Sequence, residues 1–227
     1  MKPVKRERNQ RGSGDRLKSE VIEAAMRILD HNPVSDLSLR MVAREAGIAA
    51  PSVYAHFPDA KTMIAEVGRE CWRQLGAAIS ASTADLVSPR VREELCAKMT
   101  AYVRYAMERP SRYQLLFAPE HAASEQAEDS PGLLQPAYRS VIASVERLAA
   151  EGATLPAKDA VSATLVILSL AHGRIALAHL APWRSGNSAE SVTEFVLETL
   201  NQLLGPEKKN ERDDPAYHKP TLVSEKC

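Results

Sequence analysis

The sequence predicts an all-α protein, with a small N-terminal helical domain followed by a larger C-terminal helical bundle. Apolar residues recur at three- and four-residue spacing in almost every segment of the 227-residue chain, and no segment shows the sustained alternation typical of β-strands. A chain of this length can bury a substantial core. Its 29 basic and 29 acidic residues balance, so only the local distribution of charge is informative about partners.

The first two helices follow from apolar spacing and from the residues that end them. Apolar residues between 17 and 29 mark the first helix, which must stop before Pro33 because a proline disfavours helical geometry in the residue that precedes it. A second helix is expected over 39–46, with Ser38 as its N-cap. Gly47 is placed to end this helix in the left-handed conformation. A tight turn therefore separates the second helix from the next segment.

A third short helix is expected over residues 51–57, and its pattern is typical of a DNA recognition helix. Val53 and Phe57 lie four residues apart and form its apolar side. At 100° per residue, the small side chains of Pro51, Ser52 and Ala55 lie on the opposite side. The polar side chains of Tyr54 and His56 lie on the two flanks. Two short helices joined by a glycine turn match the helix-turn-helix, whose second helix enters the DNA major groove.

The residue types on this helix suit contact with DNA. Small side chains let the backbone approach base edges, where Ser52 can hydrogen-bond and Ala55 can touch a thymine methyl. Tyr54 and His56 point towards the groove walls and could hold phosphates. The alternative is that both are half-buried residues with a satisfied polar tip, and a helix–glycine–helix pattern alone does not separate the two interpretations.

The stretch 37–64, LSLRMVAREAGIAAPSVYAHFPDAKTMI, resembles the DNA-binding domain of the TetR family of bacterial transcriptional regulators. The matching positions are Ser38, Val42, Ala43, Ala46, Gly47, Tyr54, His56 and Phe57. The resemblance implies that the serine and the tyrosine contact phosphates and that the third helix reads bases. With the geometry above, the expected DNA contacts are Ser38, Arg40, Ala50, Pro51, Ser52, Tyr54, Ala55, His56 and Lys61.

The sequence departs from the family pattern at two positions. Ala49 stands where the family often has a serine, so the third helix lacks the usual N-cap, a loss of about 1 kcal/mol. Ala60 stands at the position of a frequent lysine, and we expect Lys61 to make that phosphate contact instead.

Further helices are expected near residues 59–84, 91–108, 111–117, 132–151, 157–180 and 189–204. These assignments divide the chain into a basic arm at 1–15, a helix-turn-helix domain at 16–60, a bundle at 61–204 and a tail at 205–227. The acidic, alanine-rich segment 118–132 is expected to be a loop. Residues 1–18 hold seven lysines and arginines, and their position directly before the helix-turn-helix favours contact with DNA over a solvated tail.

The C-terminal half is expected to bind a ligand and to form a dimer. The segments RYQLLF (112–117) and LAHGRIALA (170–178) are similar to parts of the family's ligand-binding and dimerisation domain. Apolar residues and two histidines repeat at alternating spacings of four and three in the helix near 157–180, and a second stripe follows in the last helix. The expected dimer interface is Val161, Leu165, Leu168, Ile175, His179, Val192, Val196, Leu200 and Leu204.

A ligand pocket inside the bundle would be formed by side chains of facing helices. The candidates are Met99, Tyr102, Val103, Ala106, Tyr113, Leu116, Phe117, Tyr138, Val141 and His172. For each, the alternative is an ordinary core position. His172 and His179 are seven residues apart and do not form the i,i+4 pair that binds metal on a helix. We therefore expect no metal ion and no cofactor.

The main competing interpretation is an all-helical enzyme or a protein-interaction bundle without DNA binding. The sequence contains no GxSxG, HExxH or Gly-rich phosphate loop, so we expect no catalytic residues. Three cysteines without CxxC spacing and the lack of an apolar stretch behind the N-terminal charges indicate a cytoplasmic protein. The apolar stretch 160–181 is long enough for a membrane span, but His172, Arg174 and His179 favour a buried helix of a soluble protein. The expected partners are palindromic double-stranded DNA, a small-molecule effector and a second copy of the chain, with no membrane.

Overall fold

The computed structural model describes residues 13–117 and 136–205, and these residues form an all-α fold, as predicted. No β-strand occurs within those two ranges, which contain one turn of 3-10 helix at Val34–Asp36. The helices are α1 Ser13–Leu29, α2 Leu39–Ala46, α3 Ala50–Tyr54, α4 Ala60–Ala81, α5 Val91–Glu108, α6 Pro110–Leu116, α7 Pro136–Ala150, α8 Ala160–Leu180 and α9 Ala189–Leu203. Most of the predicted basic arm, the predicted loop and nearly all of the predicted tail lie outside the described residues.

The first three helices form a small domain around one apolar centre. α1 packs against α2, and α2 packs against α3. Val21, Val42, Val53 and Phe57 are completely buried between them. The inward-facing side of each helix therefore corresponds to the apolar side expected from the sequence.

α4 connects this domain to the bundle, because it packs against α1 and also against α5, α6 and α7. It is shorter than the predicted helix at 59–84 because polar side chains define both ends. The Asp59 carboxylate accepts a hydrogen bond from the Thr62 amide at 2.7 Å, so Asp59 is the N-cap. At the other end, the Ser82 hydroxyl donates to the Ile79 carbonyl at 2.7 Å.

α5 lies at the centre of the bundle and contacts every other helix in it from α4 to α9. A partly buried ionic network joins it to α7. Lys98 Nζ donates to Glu94 Oε1 at 2.6 Å and to Ser144 Oγ at 2.8 Å, and Arg147 bonds the other oxygen of Glu94 at 2.6 Å. Burial acts to raise the pKa of Glu94, but hydrogen bonds from Lys98, Arg147 and Ser144 outweigh it and lower the pKa to about 2. The carboxylate is therefore ionised at neutral pH and pairs with both cations.

Most side chains of the predicted dimer interface are buried within the single chain. The buried residues are Leu168, Ile175, Val192, Val196, Leu200 and Leu204. A 4,3 apolar repeat marks a helix face that is covered, but it does not tell which helix covers it. Here the last helix, α9, packs against α5 and α8 of the same chain. Of the predicted interface residues, only Val161 and Leu165 are exposed.

α8 has a second apolar face that is left exposed by residues 13–117 and 136–205. By length and composition it meets the criteria for a membrane span, with a mean hydropathy of 1.6, and 33% of that stretch is buried in the protein. Its exposed apolar side chains, together with one from α9, are Val161, Leu165, Val166, Leu177, Leu180 and Phe195. We call this set the α8 apolar face.

Candidate DNA-binding surface and effector site

The turn of the helix-turn-helix is built as the sequence predicts. Ser38 caps α2, since its Oγ accepts a hydrogen bond from the Met41 amide at 3.3 Å. Gly47 has φ 65° and ψ 31°, the left-handed conformation that glycine adopts without steric cost. Its amide donates to the Arg44 carbonyl at 3.2 Å and the Ile48 amide donates to the Ala43 carbonyl at 2.9 Å, which is the Schellman arrangement that ends a helix.

α3 presents small and polar side chains on the side that does not pack against α2. Val53 points inward, whereas Pro51 and Ala55 are exposed, Ser52 is half-buried and Tyr54 is 45% exposed. Regular helix ends at Tyr54, three residues earlier than predicted, although the Phe57 amide still bonds to the Val53 carbonyl at 2.9 Å. No side chain caps α3 at Ala49, as expected from the missing serine.

The remaining predicted DNA contacts lie at the ends of this helix or on the neighbouring helices, and His56 is packed against α1. Arg40 lies in the first turn of α2 and Lys61 in the first turn of α4, and both are exposed. Ala50 is half-buried at the start of α3. His56 is also half-buried, and a Cβ placed on Gly14 of α1 would lie 3.6 Å from its Cε1 atom. The imidazole is therefore packed against the start of α1.

A hydrogen-bonded chain of aromatic side chains occupies the interior of the bundle. The Tyr102 and Tyr113 hydroxyl oxygens are 2.7 Å apart, and the Tyr113 hydroxyl is 2.7 Å from His172 Nδ1. The Phe117 ring lies 4.3 Å from the His172 ring, measured between centroids. Of the predicted pocket residues, the structure thus brings Tyr102, Tyr113, Phe117 and His172 into one cluster, contributed by α5, α6 and α8.

Two residues of this cluster were not assigned to it from the sequence. His179, predicted for the dimer interface, lies with its ring 6.0 Å from that of Tyr113. Trp72 of α4 was not predicted at all, and its ring makes edge contacts with those of Tyr138 at 5.3 Å and Phe117 at 5.9 Å. Trp72 lies in the apolar repeat of α4, so the sequence predicts that its side chain is buried. The repeat does not indicate which side chains of other helices it contacts.

Tyr138, also predicted for the pocket, joins the cluster through its contact with Trp72, and the five remaining predicted pocket residues are buried core positions. They are Met99, Val103, Ala106, Leu116 and Val141. Phe117 differs from them, since it is 41% exposed at the edge of the cluster.

The titratable groups of the cluster are neutral at pH 7. Burial raises the pKa of the Tyr102, Tyr113 and Tyr138 hydroxyls, which therefore remain protonated. Burial lowers the pKa of both His172 and His179, so their imidazoles are uncharged. Among the residues that the structure describes, His179 Nε2 is a buried atom without a hydrogen-bond partner, and its ring lies beside that of Tyr113. Within the described ranges, no group of three or more His, Cys, Asp or Glu residues is arranged to hold a metal ion.

The fold and the two sites define a helix-turn-helix protein with a separate helical bundle. A family model described as bacterial regulatory proteins of the tetR family matches residues 21–67, and one described as the tetracyclin repressor-like C-terminal domain matches residues 95–200. Together these matches span more than half of the chain. The chain belongs to the TetR family and is a DNA-binding transcriptional regulator.

Solved structures support the same fold over most of the chain. A putative TetR-family regulator from Rhodococcus sp. is 16% identical with a TM-score of 0.64, over 83% of this chain and 98% of that one. A putative regulator from Saccharomonospora viridis in complex with choline is 15% identical with a TM-score of 0.62, over 82% and 96%. RolR in complex with resorcinol is 15% identical with a TM-score of 0.55, over 84% and 90%. No match was found among curated proteins.

Proposed function

We propose that this regulator is a cytoplasmic repressor that a small ligand releases from a palindromic operator. The observation that carries the proposal is the Tyr102–Tyr113–His172 chain, with the unpartnered Nε2 of His179 beside it. Buried polar atoms are normally paired, so an unpaired one next to a hydrogen-bonded chain is suited to a ligand that supplies the missing partner. Choline and resorcinol in the two similar structures support a small organic effector here.

DNA recognition is assigned to α3 and the residues around it. Ser52 and Ala55 are placed to meet base edges, while Ser38, Arg40, Tyr54 and Lys61 are placed to hold phosphates. Five of these six residues are exposed and Ser52 is half-buried, which supports the assignment because a residue that contacts DNA must be accessible. We assign His56 to phosphate contact from one side of the helix, with its ring supported by α1.

We assign dimerisation to the α8 apolar face rather than to the buried stripe of α9. Six exposed apolar side chains on one surface are costly in water, and a second copy of the chain would cover them. Arg174 lies over the Phe195 ring at 5.6 Å and connects the exposed surfaces of α8 and α9. Two chains joined there by a two-fold axis would present two copies of α3 to one DNA duplex. We propose no catalytic role for any residue.

The experiment that tests repression starts from DNA selected by the protein itself. Genomic fragments retained by the purified chain are sequenced, and the recovered site is placed downstream of a constitutive promoter. Addition of protein should then lower transcription in vitro, and a site with one half scrambled should abolish the effect. An increase in transcription would show an activator, and equal retention of all fragments would refute specific binding.

A further inference from the structure

Arg112 of α6 contacts the DNA-binding domain, and the next residue along the chain contacts the effector site. Tyr113 bonds to Tyr102 and to His172, as described above. Arg112 instead points to α1 and α4. α6 is only seven residues long, and the two contacts arise from adjacent residues of this one short helix.

The guanidinium of Arg112 caps the C-terminal end of α1. Its Nη2 donates to the Met26 carbonyl at 3.2 Å and to Asp30 Oδ2 at 2.6 Å. Met26 provides one of the last four carbonyls of α1, which have no partner within a regular helix. The Asp30 amide does not reach it and bonds to the Arg27 carbonyl at 3.3 Å. A cation at this position also interacts favourably with the helix dipole.

The same guanidinium is anchored to α4 and largely removed from water. Nη1 of Arg112 donates to Gln74 Oε1 at 3.1 Å, and the side chain is only 11% exposed. Two further ion pairs of α1, Lys18–Glu66 to α4 and Arg27–Glu45 to α2, have more exposed basic side chains, at 40% and 53%. Arg112 thus makes a partly buried ionic contact from α6 of the bundle to Asp30 at the end of α1.

We propose that Arg112 couples the effector site to the DNA-binding domain by capping α1. The inference rests on the proposed function, in which a ligand binds beside Tyr113 and changes DNA affinity. A ligand that alters the bonds of Tyr113 shifts α6 and draws Arg112 away from the Met26 carbonyl. The end of α1 then loses its cap and Asp30 loses its ion pair. Because Arg112 links the two helices, a shift of α6 therefore changes the position of α1. Because α1 packs against α2, this movement reaches the helix-turn-helix.

The test uses DNA as the probe, since coupling between two sites acts equally in both directions. The sequence has two tryptophans, so Trp183→Phe leaves Trp72 as the single fluorophore. Trp72 reports on the effector site through its contacts with Phe117 and Tyr138. A labelled duplex carrying the selected operator is titrated, with anisotropy of the label measuring DNA binding and Trp72 emission measuring the response of the site.

We expect Trp72 emission to shift on DNA binding in this background, and the shift to be lost in Arg112→Gln and in Asp30→Asn while both variants still bind the duplex. The matched control is Arg73→Gln, which removes the same charge from an ion pair with Glu70 inside α4 and should keep the shift. If Arg112→Gln does not fold, as judged by circular dichroism, Asp30→Asn decides, because it leaves the packing of Arg112 intact.

Two results would overturn the coupling role: a shift that persists in either variant, or no shift in the background protein at saturating DNA. Both are distinct from failure of the proposed repressor, which would be seen as a missing anisotropy change or a missing effect on transcription.

Discussion

The hydroxyl of Tyr113 lies 2.7 Å from His172 Nδ1 and 2.7 Å from the hydroxyl of Tyr102, so one buried oxygen joins three helices. Burial raises the pKa of both tyrosines and lowers the pKa of His172, so it favours the neutral form of each group. These hydrogen bonds stabilise the core, and a bound ligand could replace them.

Tyr113→Phe should destabilise the fold by about 1–3 kcal/mol, because it leaves buried polar groups on Tyr102 and His172 without a partner. Urea unfolding at pH 7 measures this loss. The matched control is Tyr54→Phe, which removes the same atom from a side chain that is 45% exposed and should leave stability unchanged. Equal stability of the Tyr113→Phe variant and the wild type would show that the chain of hydroxyls contributes nothing to the core.

Tyr54→Phe should instead weaken operator binding by about 0.5–3 kcal/mol, the upper end applying to a bond with a charged phosphate. The loss should be the same for every operator variant, since phosphates carry no base identity. Anisotropy titrations with a set of single-base variants measure it. Altered base preferences at unchanged affinity would place Tyr54 against a base edge.

The Glu94 network should make stability depend on acid pH. The folded-state pKa of Glu94, about 2, lies below its ordinary value of 4.5, so the stabilisation is complete above about pH 5 and is lost as the pH falls towards 2. At about 1.4 kcal/mol per unit of pKa shift, the loss is at most about 3 to 4 kcal/mol. Urea unfolding between pH 7 and 3 should show a flatter dependence for Glu94→Gln than for the wild type. Glu198→Gln, an exposed change on α9, should behave as the wild type, and an equal slope for Glu94→Gln would contradict the assignment.

Leu177→Glu should convert a dimer into a folded monomer. Leu177 is 63% exposed in the single chain, so a charge there does not disturb the core but would be buried without a partner in a dimer interface. Sedimentation velocity measures the change, and tight operator binding should be lost with it. Leu86→Glu, in the connection between α4 and α5, is the control: this leucine is 38% exposed and lies outside the α8 apolar face. A Leu177→Glu variant that remains dimeric would show that the interface lies outside the α8 apolar face.

Local signals in the sequence were sufficient to predict the helix-turn-helix. Ser38, Gly47 and Pro51 each act on the backbone within a few residues, through a cap, a left-handed turn and a fixed φ angle. The structure accordingly reproduces the cap on α2 and the turn after it.

Contacts between distant segments were not predictable in the same way. The repeat of Val192, Val196 and Leu200 showed a covered face, and only the packing of α9 on α5 showed that the chain covers it itself. Arg112 and Met26 are 86 residues apart, and nothing near either residue indicates their hydrogen bond. The partners of such residues depend on the tertiary arrangement of whole helices.

The most direct test of a two-fold regulator is a hydroxyl-radical footprint of the wild-type protein on the selected operator. Two copies of α3 in successive major grooves should protect two patches about 34–36 Å apart, related by the symmetry of the site. Tyr54→Phe should weaken both patches equally. A single protected patch, or protection without symmetry at saturating protein, would contradict the account.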